Sequence, residues 1–376
     1  MSLETTEALV ANSNVYTWEP PNRVIAARYG LRPEDILRFD TNTSPAVLSY
    51  LPEALEGPWD PPLHEYPDST YAELAEAAAD YVGARPEEIL VGCGADEVLD
   101  IIAKVYLASG RRSVVPVPTY SMYAVLTAQR DAELVTVPRR PDYRLDVEAV
   151  IAALPGAGAV WLCAPNNPTG TPESREDLVA LLDAASALPG GGPAMILDEA
   201  YIEFQRHDDP RASVELLEQH DNLVVLRTFS KSHSLAGLRV GYSLSSPEFR
   251  AAVDAVRQPF SVNALAQAAA TEALDHGEAV GEQIAASIAE RERVEAGFAA
   301  IGLETAETAA NFSWVSLGER GTEIERGVVD DLEAAGIVVR PGALLGAPGR
   351  LRISYGTPEQ NDRMLAALAD SVAARS

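Results

Sequence analysis

Lysine is nearly absent from this chain. Of 376 residues only Lys104 and Lys231 are lysines, against 27 arginines and 56 acidic residues, so the formal net charge is −27. Such a charge repels nucleic acid and anionic membranes, and it excludes both as expected partners. No apolar run approaches the roughly 20 residues needed to span a bilayer. The first twenty residues lack the basic-then-apolar pattern of a secretory signal. Cysteine is almost as scarce as lysine: Cys93 and Cys163 both sit in apolar runs, which reads as two reduced core residues in a cytoplasmic protein. No metal site is expected. The acidic, lysine-poor composition suits a salt-loving host or a GC-rich genome, and most simply reads as a solvated acidic surface. In any of these cases an anionic ligand must be gathered locally, by arginines or backbone N–H groups, against the field of the whole molecule.

What is present suits a buried core, since 47% of residues are apolar and 23% charged. The length allows one large domain and a smaller one. From about residue 70 to 258, helical patterns (YAELAEAAADYV, ADEVLDIIAKVYLA, ESREDLVALLDAAS) alternate with short apolar runs. Those runs are EILVGC, RSVVPVP, ELVTVP, AVWLCAP, AMILDEA, NLVVLRT and RVGYSLS. Apolar on both faces and bounded by Gly, Pro or Asn, they predict an α/β fold with a mostly parallel sheet wrapped by helices. After Pro259 the pattern changes. One long Ala- and Glu-rich helix is expected over roughly 264–300, then strand-like NFSWVSL, GIVVRPG and LRISYG, and a C-terminal amphipathic helix. The expected division is a large domain over residues 46–258, with the arm 1–45 joining 259–376 as a smaller α+β domain.

Three polar clusters follow predicted strands, where open α/β sheets form their sites. In GCGAD, the N–H groups of Gly94, Ala95 and Asp96 would lie at a helix N-terminus and attract an anion. Taken alone, the same residues are more simply a glycine turn capped by Asp96. In CAPNNPTG, Asn167 lies in what is equally a plain turn. The next strand ends ILDEAY, which leaves Asp198 at a strand end, costly unless paired, with Tyr201 three residues on. The third cluster, RTFSKSHSLAGLRVGY, groups Thr228, Ser230, Lys231 and Arg239 after a buried strand. Lys104, mid-helix, reads as a surface lysine with its stem laid along the helix, and His233 as a loop or core histidine. Jointly these parts suit a phosphorylated aldehyde cofactor. A lysine would hold it covalently, a carboxylate would keep a ring nitrogen protonated, and N–H groups, hydroxyls and an arginine would bind the phosphate.

The ordered set GAD, PTYSMY, APNNPTG, DEAYIEF, RTFSKSHSLAGLRVG and LRISYGTPEQN resembles the pyridoxal-phosphate (PLP) dependent aminotransferases of fold type I. Within them it is most similar to the histidinol-phosphate aminotransferases, over about residues 30–370. The resemblance implies that Lys231 carries the cofactor and later moves the proton at the substrate α-carbon, and that Asp198 pairs with the pyridinium nitrogen. Tyr201 and Asn167 would bond the ring oxygen, and Tyr120 would stack on the ring. Gly94, Ala95, Asp96, Thr228, Ser230 and Arg239 would surround the phosphate. Tyr66 would reach the phosphate of a neighbouring subunit, implying a homodimer with shared sites. Arg352 would bind the substrate α-carboxylate and Arg340 its distal group, with Asn167 and Tyr120 also facing the substrate.

The expected reaction is transamination between a small-molecule amino donor and a 2-oxo acid, histidinol phosphate with 2-oxoglutarate first. Two departures from the family pattern bear on the donor. Asn42-Thr43-Ser44-Pro45-Ala46 stands where the family carries a stretch like N-E-N-P-Y-G, and Tyr16, Trp18 and Pro20-Pro21 stand near its Pro-Tyr pair. They suit an aromatic or other amino donor. A lyase resembling the threonine-phosphate decarboxylases shares much of the motif set. A non-catalytic PLP-fold binding module is opposed by the complete Lys, Asp and Arg set, and by a charge wrong for DNA.

Overall fold

The computed structural model describes residues 19–45, 51, 62, 64–206, 209 and 211–375. Tyr16, Trp18 and Ala46 lie outside the described residues. Strand β1 (Leu37–Arg38) precedes a seven-stranded sheet made of β2 (Ile89–Gly92), β3 (Arg112–Val117), β4 (Glu133–Pro138), β5 (Ala157–Cys163), β6 (Ala194–Asp198), β7 (Leu223–Thr228) and β8 (Gly241–Ser245). Its order is β2-β8-β7-β6-β5-β3-β4. The β4–β3–β5–β6–β7 pairings are parallel, and β8 runs antiparallel to both its neighbours. All seven apolar runs of the sequence are strands of this sheet. The central ones are buried on both faces, whereas β4, at an edge, is largely half-exposed.

Alternation along each strand sends side chains to two separate cores. Val160, Leu162, Met195 and Leu197 meet the helices Ala72–Val82 and Arg175–Ser186 on one face. Ala159, Trp161, Ile196 and Leu226 meet the helix Gly94–Tyr106 on the other. Local signals start these helices where expected. Ser174 Oγ accepts the Asp177 N–H at 3.0 Å, and acidic Glu176 and Asp177 fill the positive first turn.

The single helix expected over 264–300 is two helices, Ala264–Asp275 and Gly277–Ala300, broken at His276. Small residues let the first approach closely: Ala266, Ala269, Ala270 and Ala273 are packed in the large core, joined by Val280 and Ile284 of the second. The large core therefore extends past residue 258. The far half of the second helix turns to another core, where Val294 and Phe298 pack with Phe39, Val315, Leu351 and Met364. That smaller unit holds β9 (Glu304–Thr305), β10 (Phe312–Ser316), β11 (Ile337–Val338), β12 (Arg340–Pro341) and β13 (Arg350–Ser354). Four form an antiparallel sheet, β12-β13-β10-β9, while β11 pairs in parallel with β1. The β1–β11 pair ties residues 37–38 beside 337–338, and so brings the chain's first described segment to the mouth of the large sheet. Among the described residues, no helix is long and apolar enough to cross a membrane.

Candidate active site

The parallel strands point their C-terminal ends to one edge, and the polar clusters of the sequence collect there. Together with residues 40–43 and Arg352 of the smaller unit they enclose a cavity of about 260 Å³. Ala95, Asp96, Tyr120, Asn167, Asp198, Tyr201, Thr228, Ser230, Lys231, Arg239 and Arg352 all line it. Three residues singled out from the sequence do not. Gly94 immediately precedes Ala95, which lines the cavity. Arg340 is buried and pairs with Glu19, which also lines it. Tyr66 is 77% exposed, away from the cavity, with its ring stacked 4.7 Å from that of Phe260.

Asp198 is the last residue of β6, directly beside Cys163 in register and 4% exposed. Burial raises its carboxyl from 3.8 to about 6. Two donors limit that rise: the Tyr123 hydroxyl at 2.6 Å and the Ala200 N–H at 3.0 Å. Asp198 lines the cavity, where its carboxylate could meet a cationic N–H. Burial, with the nearby Arg352 charge, lowers the Lys231 amine from 10.5 to about 7. That amine donates to the Thr41 carbonyl at 3.0 Å. Near neutrality a large share of it is uncharged, as an amine that attacks a carbonyl must be. The Tyr201 hydroxyl accepts from Asn42 Nδ2 at 3.0 Å, and burial holds its proton on well above the usual phenol range.

Opposite these groups lies an anion cradle. The helix Gly94–Tyr106 opens on the cavity with Gly94 at φ +76°. A Cβ there would sit 2.5 Å from Arg239 Nη2, so glycine allows both the turn and the approach of the arginine. Arg239 donates to the Ser230 hydroxyl at 3.4 Å, and Thr228 donates to the same oxygen at 3.0 Å. Asp96 accepts from the Tyr120 hydroxyl at 2.9 Å and pairs with Arg239 at 3.4 Å. Helix N–H groups, two hydroxyls and a guanidinium around one space fit a phosphate. Among the described residues, no group of three His, Cys, Asp or Glu side chains could hold a metal ion.

The sequence pattern of the family described as "Aminotransferase class I and II" matches residues 36–368. The chain belongs to this family. It is 37% identical over 369 residues to a histidinol-phosphate aminotransferase of Roseiflexus castenholzii, covering 96% of each chain. It is also 37% identical to an aromatic amino acid aminotransferase of Nocardia farcinica, covering 87% of each. Among solved structures, histidinol-phosphate aminotransferase from Sinorhizobium meliloti in complex with pyridoxal-5′-phosphate superposes with a TM-score of 0.87. That pair shares 29% identity, and the match covers 98% of this chain and 97% of the other.

Several residues that shape this aminotransferase's site carry little signal in the sequence. Tyr123 holds Asp198 and stacks on buried Trp161 at 5.3 Å. The only hint was that a buried tyrosine needs a partner. Asn42, at φ 54°, reaches Tyr201 through a backbone turn that asparagine tolerates. Glu199 forms a buried ion pair with Arg227, at 2.8 Å to Nε and 2.7 Å to Nη2, which fixes the turn from Asp198 to Tyr201. His233 is buried against Phe229 and Tyr81, and burial lowers it to about 4, a neutral core imidazole. Lys104 pairs with Asp100 at 2.7 Å on the helix surface.

Proposed function

We propose that this aminotransferase uses pyridoxal phosphate to exchange an amino group between histidinol phosphate and 2-oxoglutarate. The observation that carries the cofactor assignment is the conjunction in one cavity of a lysine at about 7, a buried carboxylate at about 6 and a phosphate cradle. Bound there, the cofactor supplies an aldehyde for the amino group and an electron sink that makes the substrate α-proton removable. Lys231 would hold it and, once displaced by substrate, take up and return the α-proton. Asp198 would keep the ring nitrogen protonated, its own charge steadied by Tyr123. Tyr201 and Asn167 would bond the ring oxygen, and Tyr120 would cover the ring face. Gly94, Ala95, Asp96, Thr228, Ser230 and Arg239 would hold the phosphate. Arg352, already donating to Asn167 Oδ1 at 2.7 Å, would take the substrate anion.

An aromatic amino donor is the second reading. It is favoured by the ion pair of Arg340 with Glu19, which answers the charge of the arginine assigned to the distal anion. We further propose a cytoplasmic homodimer in which exposed Tyr66 serves the partner's phosphate site. The division between its two domains would fall within the helix Gly277–Ala300. The deciding experiment mixes cofactor-loaded enzyme with L-histidinol phosphate in the absence of any oxo acid. Conversion of the cofactor absorbance from its aldehyde-derived to its amine-derived form supports the first reading. No change with histidinol phosphate, but conversion by phenylalanine, would replace it with the second.

A further inference from the structure

Arg340 and Arg352 stand directly opposite each other across antiparallel β12 and β13. Both are buried. Like charges in facing positions repel, so each needs its own compensation, and the two differ. Arg352 donates to neutral acceptors, the Asn167 side-chain oxygen and the Asp40 carbonyl. Arg340 instead has a carboxylate, Glu19 Oε1 at 2.9 Å. Glu19 lines the cavity, and Arg340 does not. The surface offered to a ligand beyond Arg352 is therefore an acid where the strand below carries a base.

The acid is held there by design of the fold. Arg38 lies on β1, paired with Val338 two residues before Arg340. It grips both oxygens of Asp40, at 2.8 and 2.6 Å, and donates to the Pro20 carbonyl at 2.7 Å and Asn22 Oδ1 at 3.2 Å. One guanidinium thus clamps residues 20, 22 and 40 together and fixes Glu19 beside the second arginine.

We infer that Glu19 is a specificity-determining residue, an internal anion on Arg340 that a substrate's second anion must displace. A substrate with a distal carboxylate or phosphate exchanges with Glu19. One with an uncharged aromatic side chain leaves the Glu19–Arg340 pair in place. The inference rests on the proposed function in taking this cavity as the substrate site and Arg340 as the arginine for a distal anion, and it holds for either amino donor.

Calorimetric titration of the cofactor-loaded enzyme with two unreactive ligands tests it. Glutarate carries two carboxylates, and hydrocinnamate carries one carboxylate and a phenyl ring. In Glu19→Gln, glutarate is expected to bind about tenfold tighter, with hydrocinnamate within about twofold of wild type. The KM for 2-oxoglutarate should fall while that for phenylpyruvate stays. Glu19 also raises the Lys231 amine slightly, an effect common to both ligands that the comparison removes. Adding Arg340→Gln should erase the gain. Glu19→Ala is read in the same way, should the glutamine variant fold poorly. Unchanged or weaker glutarate binding, equal tightening of both ligands, or no glutarate binding by either protein would overturn the inference. A histidinol phosphate result of either sign leaves this test intact, because glutarate needs only the two arginines.

Discussion

Among the described residues no cation pairs with buried Asp198, and that has a thermodynamic signature. Its carboxyl titrates at about 6 in the fold against 3.8 as the ordinary value. The sign follows from linkage. Below 3.8 the group is protonated folded and unfolded, and burial costs it nothing. As pH rises through the interval to 6 the unfolded chain ionises first, and stability is lost. Above 6 both states are charged and the full loss remains, about 3 kcal/mol for a shift of roughly two units. Asparagine keeps a side-chain oxygen for the Ala200 N–H and an amide to meet the Tyr123 hydroxyl, and it never ionises. Cofactor-free Asp198→Asn should therefore be more stable than cofactor-free wild type, by about 3 kcal/mol at pH 8 and about half that at pH 5.

Urea unfolding of both proteins at the two pH values measures this, and contributions from other carboxylates cancel in the difference. Loading the cofactor should reverse the order. A pyridinium N–H would recover the buried charge in wild type but not in the variant, and binding to the native state adds stability by mass action. Turnover by the variant should be largely lost. A cofactor-free variant less stable than wild type at pH 8, or a difference independent of pH, would refute the reasoning that Asp198 is a buried charge awaiting a cation.

The remaining expectations concern its neighbours. Tyr123→Phe removes a bond that favours the charged carboxylate, so cofactor-free stability at pH 8 should drop by about 1.5–3 kcal/mol, with a smaller drop at pH 5, measured by the same unfolding curves. Lys231→Ala should abolish turnover yet still retain the cofactor noncovalently through the cradle around Gly94 and Arg239, which equilibrium dialysis against the free cofactor would detect. Arg352→Ala should raise KM for glutamate at least about 30-fold, as expected when a buried charged contact loses its partner. Steady-state kinetics check this, and an unchanged KM would move the carboxylate site elsewhere.

The large sheet was legible because its information is local. Each strand is a short apolar run closed by a turn residue, and the chemistry follows those runs within a few positions, at Gly94, Asn167, Asp198 and Lys231. What was illegible depends on encounters between distant segments. The β1–β11 pairing joins Leu37 to Ile337, and a two-residue strand has no periodicity to read. The break at His276 falls on Asp275-His276-Gly277, a short stretch of weak helix formers inside a long Ala-rich periodic run that otherwise reads as one helix. Asn42 opens the stretch that departs from the family's pattern, yet it places an amide on Tyr201, and Thr41 just before it places a carbonyl on Lys231. Glu19, beside Pro20-Pro21, carries no local signal, because its partner is more than 300 residues away.

The arginines do more than collect anions against a net charge of −27. After burial, Arg352 is the strongest influence lowering the Lys231 amine. An anion seated on Arg352 cancels much of that influence, because the lysine then faces a neutral pair instead of a cation. In the proposed reaction Lys231 would thus be least basic before substrate arrives, when it would need to be uncharged, and more basic once a substrate anion is seated, when it would accept a proton. One guanidinium would then serve both requirements, since its effective charge at the lysine depends on whether an anion is bound to it.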